Sequence, residues 1–336
     1  MTRSVRLRSL AKINLDLRVL NQRADGFHDL RTVFQTISLA DTLEIAYEPA
    51  RRSTLTLDHG GAIPDDIQNN LVLRAARAAL DALKIHASVH FRLRKHIPMG
   101  GGLGGGSSNA AAVLLALPVL AGRELTFDEL AGLGAALGSD VPFFLVGGTA
   151  VALDRGTEIY NLPDVKPEHL LLVVPGIHMA TGPAYQALGR GREGLTSLEL
   201  SRKINGFQQF ARRLGELRSA QAAGAVGEND FESAVFDQHP QLKTMWGRLR
   251  KYAAGARMTG SGSALFAVFG SKIERDAALR SLEQDRVFRD AQVIPATAVS
   301  GSRYRRLWRV QLGEHLAPVN LGRYESLWPP RTRHAR

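Results

Sequence analysis

Pro98-Met-Gly-Gly-Gly-Leu-Gly-Gly-Gly-Ser-Ser-Asn-Ala-Ala-Ala112 is the stretch whose reading decides the fold. Six glycines fall in the seven positions from Gly100 to Gly106, broken only by Leu103. Glycine loses more backbone freedom on folding than any other residue, so such a cluster persists where the backbone itself is put to use. Two serines, an asparagine and an alanine-rich apolar run follow directly, which is the composition of a helix start. Bare N–H groups at a helix N-terminus bind anions, phosphate above all. The stretch therefore predicts a cradle for nucleotide phosphates running from Pro98 and Met99 through Gly100, Gly101, Gly102, Leu103, Gly104, Gly105 and Gly106 to Ser107 and Ser108. The Ser108 hydroxyl is expected to reach a Mg²⁺ ion. No Gly-Lys-Ser/Thr closes the loop, so it is not a Walker-type P-loop. No strand runs straight into it and no acidic residue follows at a strand end, so it is not a dinucleotide fingerprint either.

The 336 residues are 44% hydrophobic and 22% charged, enough for two modest domains with proper cores. Cysteine is absent, which excludes disulfides and thiolate metal sites and suits a reducing cytoplasm. Met1–Leu17 alternates arginines with apolar residues, so no secretory leader is expected. Apolar runs such as Leu170–Val174 are far too short to span a bilayer. The net charge is +11, and eight arginines against two glutamates stand in residues 301–336 alone. Much of the basicity thus belongs to a tail, and the milder balance of the body suits anionic small substrates as well as nucleic acid.

Alternation over Val5–Val19 predicts a strand, with Lys12, Asn14, Asp16 and Arg18 on one face. A loop over 21–29 turns at Asp25-Gly26, and Thr32–Ile45 reads as strand broken at Ala40-Asp41. A short strand at Thr54–Leu57 precedes a helix over Asn70–Leu83, capped by Asn69 or Asn70. Another strand spans Ser88–Leu93, and the helix after the glycine loop is expected to stop at Leu117, before Pro118. A helix over Asp128–Leu137 ends at Gly138, and Thr149–Leu153 is a strand. A second lobe is placed from Pro163–Pro167 onward. It opens with Leu170–Val174, continues through helices near Ile204–Leu217 and Gln241–Ala253, and turns at Met258–Ser263 into a strand over Ala264–Phe269.

Asp140 lies between a helix-ending glycine and an apolar Val-Pro-Phe-Phe run. It reads either as a helix cap or as the carboxylate that takes a hydroxyl proton in phosphoryl transfer. Lys12 beside it would hold that carboxylate ionised and offset charge on the transferred group.

Ala11-Lys-Ile-Asn-Leu15, Ala24-Asp-Gly-Phe-His28, the glycine loop, Gly138-Ser-Asp-Val-Pro-Phe143 and Thr259-Gly-Ser-Gly-Ser263 occur in the order seen in the GHMP kinase superfamily, which this chain resembles from about Lys12 to about Phe269. Within it, the wording is similar to the branch that phosphorylates a cytidine diphosphate-linked methylerythritol in isoprenoid precursor synthesis. The resemblance implies an α+β, two-lobed kinase with the active site in the cleft between lobes. It implies a first domain over 1–160, a second over 161–300, and 301–336 as a basic extension. It implies ATP and Mg²⁺, Lys12 and Asp140 as the catalytic pair, and transfer to the substrate's 2-hydroxyl. Asn14 would position the methylerythritol, His28 would hydrogen-bond cytosine, and Phe27, where the family commonly has Tyr, would stack on it. Tyr185 would line the cytidine pocket, Asn70 and Lys95 would contact adenosine, and the turn at 259–263 would close the site. A monomer or homodimer without membrane partner is expected.

His86, His90, His96 and His178 lack metal-ligand spacing and read as structural or solvated. Asn229-Asp-Phe-Glu232 reads as a helix cap. Trp308 and Trp328 among tail arginines either stack on nucleic acid or pack on the body or a subunit partner, the second being the expectation. The rivals to the reading are a homoserine or mevalonate kinase, and a basic nucleic-acid-binding protein.

Overall fold

The computed structural model describes residues 2–61, 69–164, 168–177, 179, 181–189, 194–216, 226–316 and 328–334. Strands β1 (Arg3–Gln22) and β2 (His28–Pro49) form one long antiparallel hairpin around the turn at Asp25-Gly26. β2 is shared between two further neighbours. Its first half pairs with β5 (Thr149–Leu153) and its second half with β4 (Ala87–Arg94). β3 (Thr54–Asp58) lies parallel on β4, and β6 (Glu158–Asn161) antiparallel on β5. The second sheet has the order β10-β7-β9-β8, from β7 (His169–Pro175), β8 (Ala256–Met258), β9 (Leu265–Phe269) and β10 (Ala291–Thr297).

Helices α1 (Leu71–Leu83), α2 (Gly105–Ala121), α3 (Phe127–Leu137) and α4 (Val141–Val146) belong with the first sheet. Helices α5 (Thr181–Ala187), α7 (Phe231–Gln238), α8 (Pro240–Leu249) and α9 (Lys272–Gln284) belong with the second, and α6 (Ser197–Glu216) packs on β1 and β2 in the core between the two sheets. β7 explains its own uninterrupted apolar run. Leu171 and Val173 bury against α7, α8 and α9, while Leu170, Leu172 and Val174 bury in the core shared with β1 and α6. The expected lobe boundary at 163–167 and His178 lie in part or wholly outside the described residues. Among the described residues no helix is long and apolar enough to cross a membrane.

Two local expectations need correction. Ala40-Asp41 does not break β2. The ladder steps instead, since Ala11 pairs with Ile37 and Leu10 with Ala40, so Ser38 and Leu39 bulge between them. The helix after the glycine loop passes through Pro118 to Ala121. Pro118 stands in the last turn of a helix buried from Ser108 to Leu120, and the packing of that whole surface outweighs one missing hydrogen bond. The helix closes at left-handed Gly122, where the Arg123 N–H donates to the Pro118 carbonyl at 3.0 Å.

The tail is not a loose extension in its described part. Helix α10 (Gly301–Leu312) returns to the first lobe and buries Tyr304, Trp308 and Leu312, a spacing of one helical face. The Tyr304 hydroxyl donates to the Phe144 carbonyl, and the Trp328 indole donates to the Leu145 carbonyl at 2.6 Å. Both tail tryptophans are thus packed on their own chain.

Candidate active site

β1 is buried on both faces. Ile13 and Leu15 enter the core between the lobes, and Lys12 and Asn14 on the other face are 3% and 4% exposed. The bulge at Leu15 then exchanges the faces, so Asp16 and Arg18, 1% and 6% exposed, do not share the face of Lys12 as simple alternation predicts. Four buried polar side chains in a row are costly unless each is partnered. Lys12 Nζ donates to Asn14 Oδ1 at 2.8 Å, lies 3.3 Å from Asp140 Oδ2, and stands 5.1 Å from the centre of the Phe34 ring. Asp16 and Arg18 form a bidentate pair with both contacts at 2.9 Å.

Asp140 occupies the N-cap position of α4, yet its side chain makes no capping hydrogen bond. The helix-cap reading therefore fails on geometry. The buried Val141, Pro142, Phe143 and Phe144 fix the helix start, and the carboxylate faces Lys12 while remaining about one-third exposed to the cleft (31%).

The glycine loop is stitched to the strand that carries the lysine, since the Lys12 N–H donates to the Leu103 carbonyl at 3.0 Å. Gly102 (φ +73°) has no space for a side chain: a Cβ there would lie 2.3 Å from the Thr259 carbonyl oxygen. Gly104 (φ +71°) caps α2, and a Cβ there would come within 2.9 Å of the Phe144 ring and 3.1 Å of Lys12 Cγ. Because Gly104 brings no side chain, the first N–H groups of α2 are capped by no side-chain oxygen, the arrangement an anion site needs. Met99 is half-exposed beside a small groove of about 240 Å³ that Pro98 and Ile177 also line.

The Ser108 hydroxyl, expected to reach a cation, is turned away from the cleft. Ser108 is 2% exposed and its hydroxyl donates to the Leu10 carbonyl at 2.6 Å. Successive helical residues point in different directions, so when Ser108 faces β1, Ser107 faces the cleft, and Ser107 lines the cavity with Asp140. Asn70 caps α1 by accepting from the Val72 N–H at 2.9 Å. Lys95 pairs with Asp41, and its Nζ lies 3.0 Å from where a Gly105 Cβ would be. Both flank the loop, with polar groups engaged inside the protein.

Asp41 was not singled out from sequence. It is fully buried, and besides Lys95 it accepts from the His96 and Ile97 N–H groups at 2.7 and 2.8 Å and from Asn109 Nδ2 at 3.1 Å. One carboxylate thus ties the segment entering the glycine loop to the helix leaving it. Its signal was the break at Ala40-Asp41: an aspartate inside an unbroken strand is there for its side chain.

Asn14 joins the network around Lys12. Its Oδ1 accepts from Lys12 Nζ and from the Gly260 N–H at 3.0 Å, and its Nδ2 donates to Thr32 Oγ1 at 2.8 Å. The Asn14 Oδ1 and one Nδ2 N–H are thus engaged inside the protein, where they hold Lys12 and the 259–263 turn together. The cluster at 229–232 likewise does more than cap a helix. Asn229 Nδ2 donates to the carbonyls of Met258 and Gly260 at 2.8 and 2.9 Å, and Glu232 Oε1 accepts from the Met258 N–H at 2.8 Å. These bonds press the turn from the second lobe onto the glycine loop.

A cavity of about 910 Å³ runs from Ser107, Ser139 and Asp140 to Phe27, His28 and Tyr185. His28 and Tyr185 stack at 5.0 Å and 24°, and Tyr185 meets Phe231 edge-on at 4.9 Å. Burial and then the nearby Asp140 carboxylate push the Tyr185 phenol above its ordinary range. Phe27 is 51% exposed with the Arg155 guanidinium 4.9 Å over its ring, a contact the sequence did not announce. The loop carrying Phe27 and His28 is anchored by Arg23, which pairs with Asp154 and with Asp29 at 3.1 Å.

Residues 70–148 match the GHMP kinases N-terminal domain, and residues 204–287 the GHMP kinases C-terminal domain. A Solibacter usitatus protein named 4-diphosphocytidyl-2-C-methyl-D-erythritol kinase is 48% identical over 99% of this chain and 98% of its own length. The protein of that name from Bacillus subtilis is 34% identical over 79% and 89%. A crystal structure of 4-(cytidine 5′-diphospho)-2C-methyl-D-erythritol kinase aligns with a TM-score of 0.66 at 32% identity, covering 89% of this chain and 99% of that one. A homoserine kinase from Cytophaga hutchinsonii aligns with a TM-score of 0.70 over 88% and 95%, but at 16% identity, a likeness of fold alone. The fold is that of the GHMP kinases, and the chain is a kinase belonging to the family of 4-diphosphocytidyl-2-C-methyl-D-erythritol kinases.

Proposed function

We propose that this protein transfers the γ-phosphoryl group of ATP to the 2-hydroxyl of 4-diphosphocytidyl-2-C-methyl-D-erythritol, giving the 2-phosphate and ADP in non-mevalonate isoprenoid synthesis. The observation that carries the reading is the 3.3 Å contact of Lys12 Nζ with Asp140 Oδ2 at one end of a cavity whose other end is an aromatic and histidine pocket. Asp140 takes the hydroxyl proton as the oxygen attacks. Lys12 orients Asp140 and offsets charge on the equatorial oxygens of the transferred group. The open N–H groups of α2 and the loop from Pro98 to Ser107 hold the donor's phosphates. Phe27, stiffened by Arg155, with His28 and Tyr185, holds the cytosine by stacking and hydrogen bonding.

Mg²⁺ fits the donors present on one condition. Among the described residues no group of three acidic or histidine side chains converges on one point. Ser107 would supply a hard oxygen from the cleft wall, and phosphates and water would complete the shell, as this ion prefers. Bound there, it would neutralise charge on the phosphates. A cytoplasmic place is part of the same reading, because the donor is ATP and the chain carries no cysteine.

The test is ADP release by purified protein with ATP and Mg²⁺, given cytidyl-methylerythritol, mevalonate or homoserine in turn. Turnover is expected with the first alone, with ³¹P NMR showing a new phosphomonoester and the diphosphate intact. Comparable turnover with mevalonate or homoserine would overturn the assignment. EDTA in excess of Mg²⁺ is expected to abolish it.

A further inference from the structure

A second large cavity, about 720 Å³, shares no lining residue with the catalytic cleft. It opens between α10 and the bulged part of the β1–β2 ladder, and its lining is of two kinds. Leu10, Val299, Leu307 and Val310 make it partly apolar, while Arg8, Arg303, Arg305, Arg306 and Arg309 make it strongly cationic. No carboxylate stands among the described residues that line it. Gathering five guanidinium groups around one concavity raises the folded state's self-repulsion, and an anion would relieve it.

The arrangement is built on rigid elements. Trp308, 1% exposed, and Tyr304 fasten α10 to the core, so the helix that carries four of the arginines is held in place beside the ladder. Asp164 accepts from the Gly301 and Ser302 N–H groups at 2.6 and 3.1 Å, which fixes the helix start and offsets Arg305 from outside the cavity. Arg8 is aimed by the bulge, donating Nη2 to the Ser38 carbonyl at 3.1 Å. Val310, 71% exposed, puts an apolar side chain beside these charges.

We infer that this cavity binds a small phosphorylated molecule with a short apolar portion, of the alkyl diphosphate type, at a site separate from catalysis. Arginine forks match phosphate oxygens in pairs, and the apolar lining accommodates a few carbons. An extended polyanion would need a continuous exposed track with aromatic platforms, and the tail's Trp308 is buried instead. The site is coupled to the reacting centre by covalent neighbours. Leu10 lies two residues before Lys12 and accepts from Ser108 at the start of α2, and the Val299 N–H donates at 2.8 Å to the carbonyl of Thr36, the ladder partner of Lys12. Occupancy is therefore expected to change the KM for ATP.

The experiment is calorimetric titration of the full chain, pre-saturated with the Mg²⁺ complex of the imido analogue of ATP so that the catalytic phosphate site is filled. The probes are n-pentyl diphosphate and inorganic pyrophosphate. One equivalent of pentyl diphosphate is expected to bind, pyrophosphate more weakly. Arg303→Gln/Arg306→Gln should weaken both by at least about tenfold, through lost charge-assisted hydrogen bonds, with turnover at saturating substrates and the circular dichroism spectrum unchanged. Val310→Ser should weaken pentyl diphosphate and leave pyrophosphate as before. Absence of binding, or equal affinity in the arginine variant, would overturn the proposal. So would displacement of pentyl diphosphate by a single-stranded oligonucleotide with a steep salt dependence, which would make this face a nucleic-acid surface.

Discussion

Lys12 Nζ lies 3.3 Å from Asp140 Oδ2, although the two residues come from a strand and a helix start more than a hundred positions apart. The lysine is 3% exposed and the carboxylate 31%, so the charge that orients the base is sealed while the base itself meets the cleft. Asp140→Asn keeps the shape and removes the proton acceptor. Turnover should fall by roughly 10²–10⁴-fold, the usual size of a general-base contribution, with little change in the KM of either substrate. Steady-state ADP release measures both, and near-normal turnover would remove Asp140 from the role.

Asn14 holds that lysine from the other side. Replacing Asn14 by Ala leaves Lys12 Nζ, the Gly260 N–H and Thr32 Oγ1 short of a partner in a buried place. The expected loss of stability is about 2–4 kcal/mol, since each stranded polar group costs roughly 1–3 kcal/mol and the strand can relax around them. Urea unfolding measures it. Turnover should fall as well, whereas a residue binding substrate through its amide would raise KM without loosening the fold.

Asp41 makes a comparable test for the glycine loop. Asp41→Asn strands Lys95 as an unpaired, largely buried ammonium and weakens the ties to the His96 and Ile97 N–H groups. Breaking one side of a buried ion pair costs roughly 3–5 kcal/mol. The KM for ATP should rise while the KM for the alcohol substrate holds, because the carboxylate organises the entrance and exit of the ATP loop only. Equal rises in both would mean general loosening.

The parts of this molecule that repeat a local rule were legible in its sequence. Alternation marks β1, and Asn70 before an apolar-periodic run marks α1. The glycine run followed by serines marks the start of α2. What escaped depends on choices made across long distances. Pro118 looked terminal because its local cost is real, and the burial of every turn around it is not visible locally. Ser107 and Ser108 are chemically identical, and only the docking of α2 on Leu10 determines which one meets the cleft. Arg155 offered no pattern, since its contact with Phe27 requires β5 and the 23–29 loop to be neighbours first. The tail was expected to pack on the body or on a partner, and only the fold shows which: Tyr304, Trp308 and Leu312, set among arginines, bury in the first lobe of the same chain.

The aromatic end of the cleft separates recognition from chemistry. Tyr185 stacks on His28, and burial with the Asp140 charge holds its phenol above the ordinary value of 10.0. It therefore stays protonated through any practical assay range, so it contributes no limb to the pH–rate profile. Tyr185→Phe keeps the ring and should leave both the profile and the KM for the cytidyl substrate within about threefold of the parent. Tyr185→Ala removes the stack and lets His28 turn. Base–aromatic stacking is worth about 1–3 kcal/mol, so that KM should rise roughly 5- to 150-fold with the KM for ATP unchanged. A KM for ATP that rose in step would place the nucleotide donor, not the cytidyl group, against Tyr185.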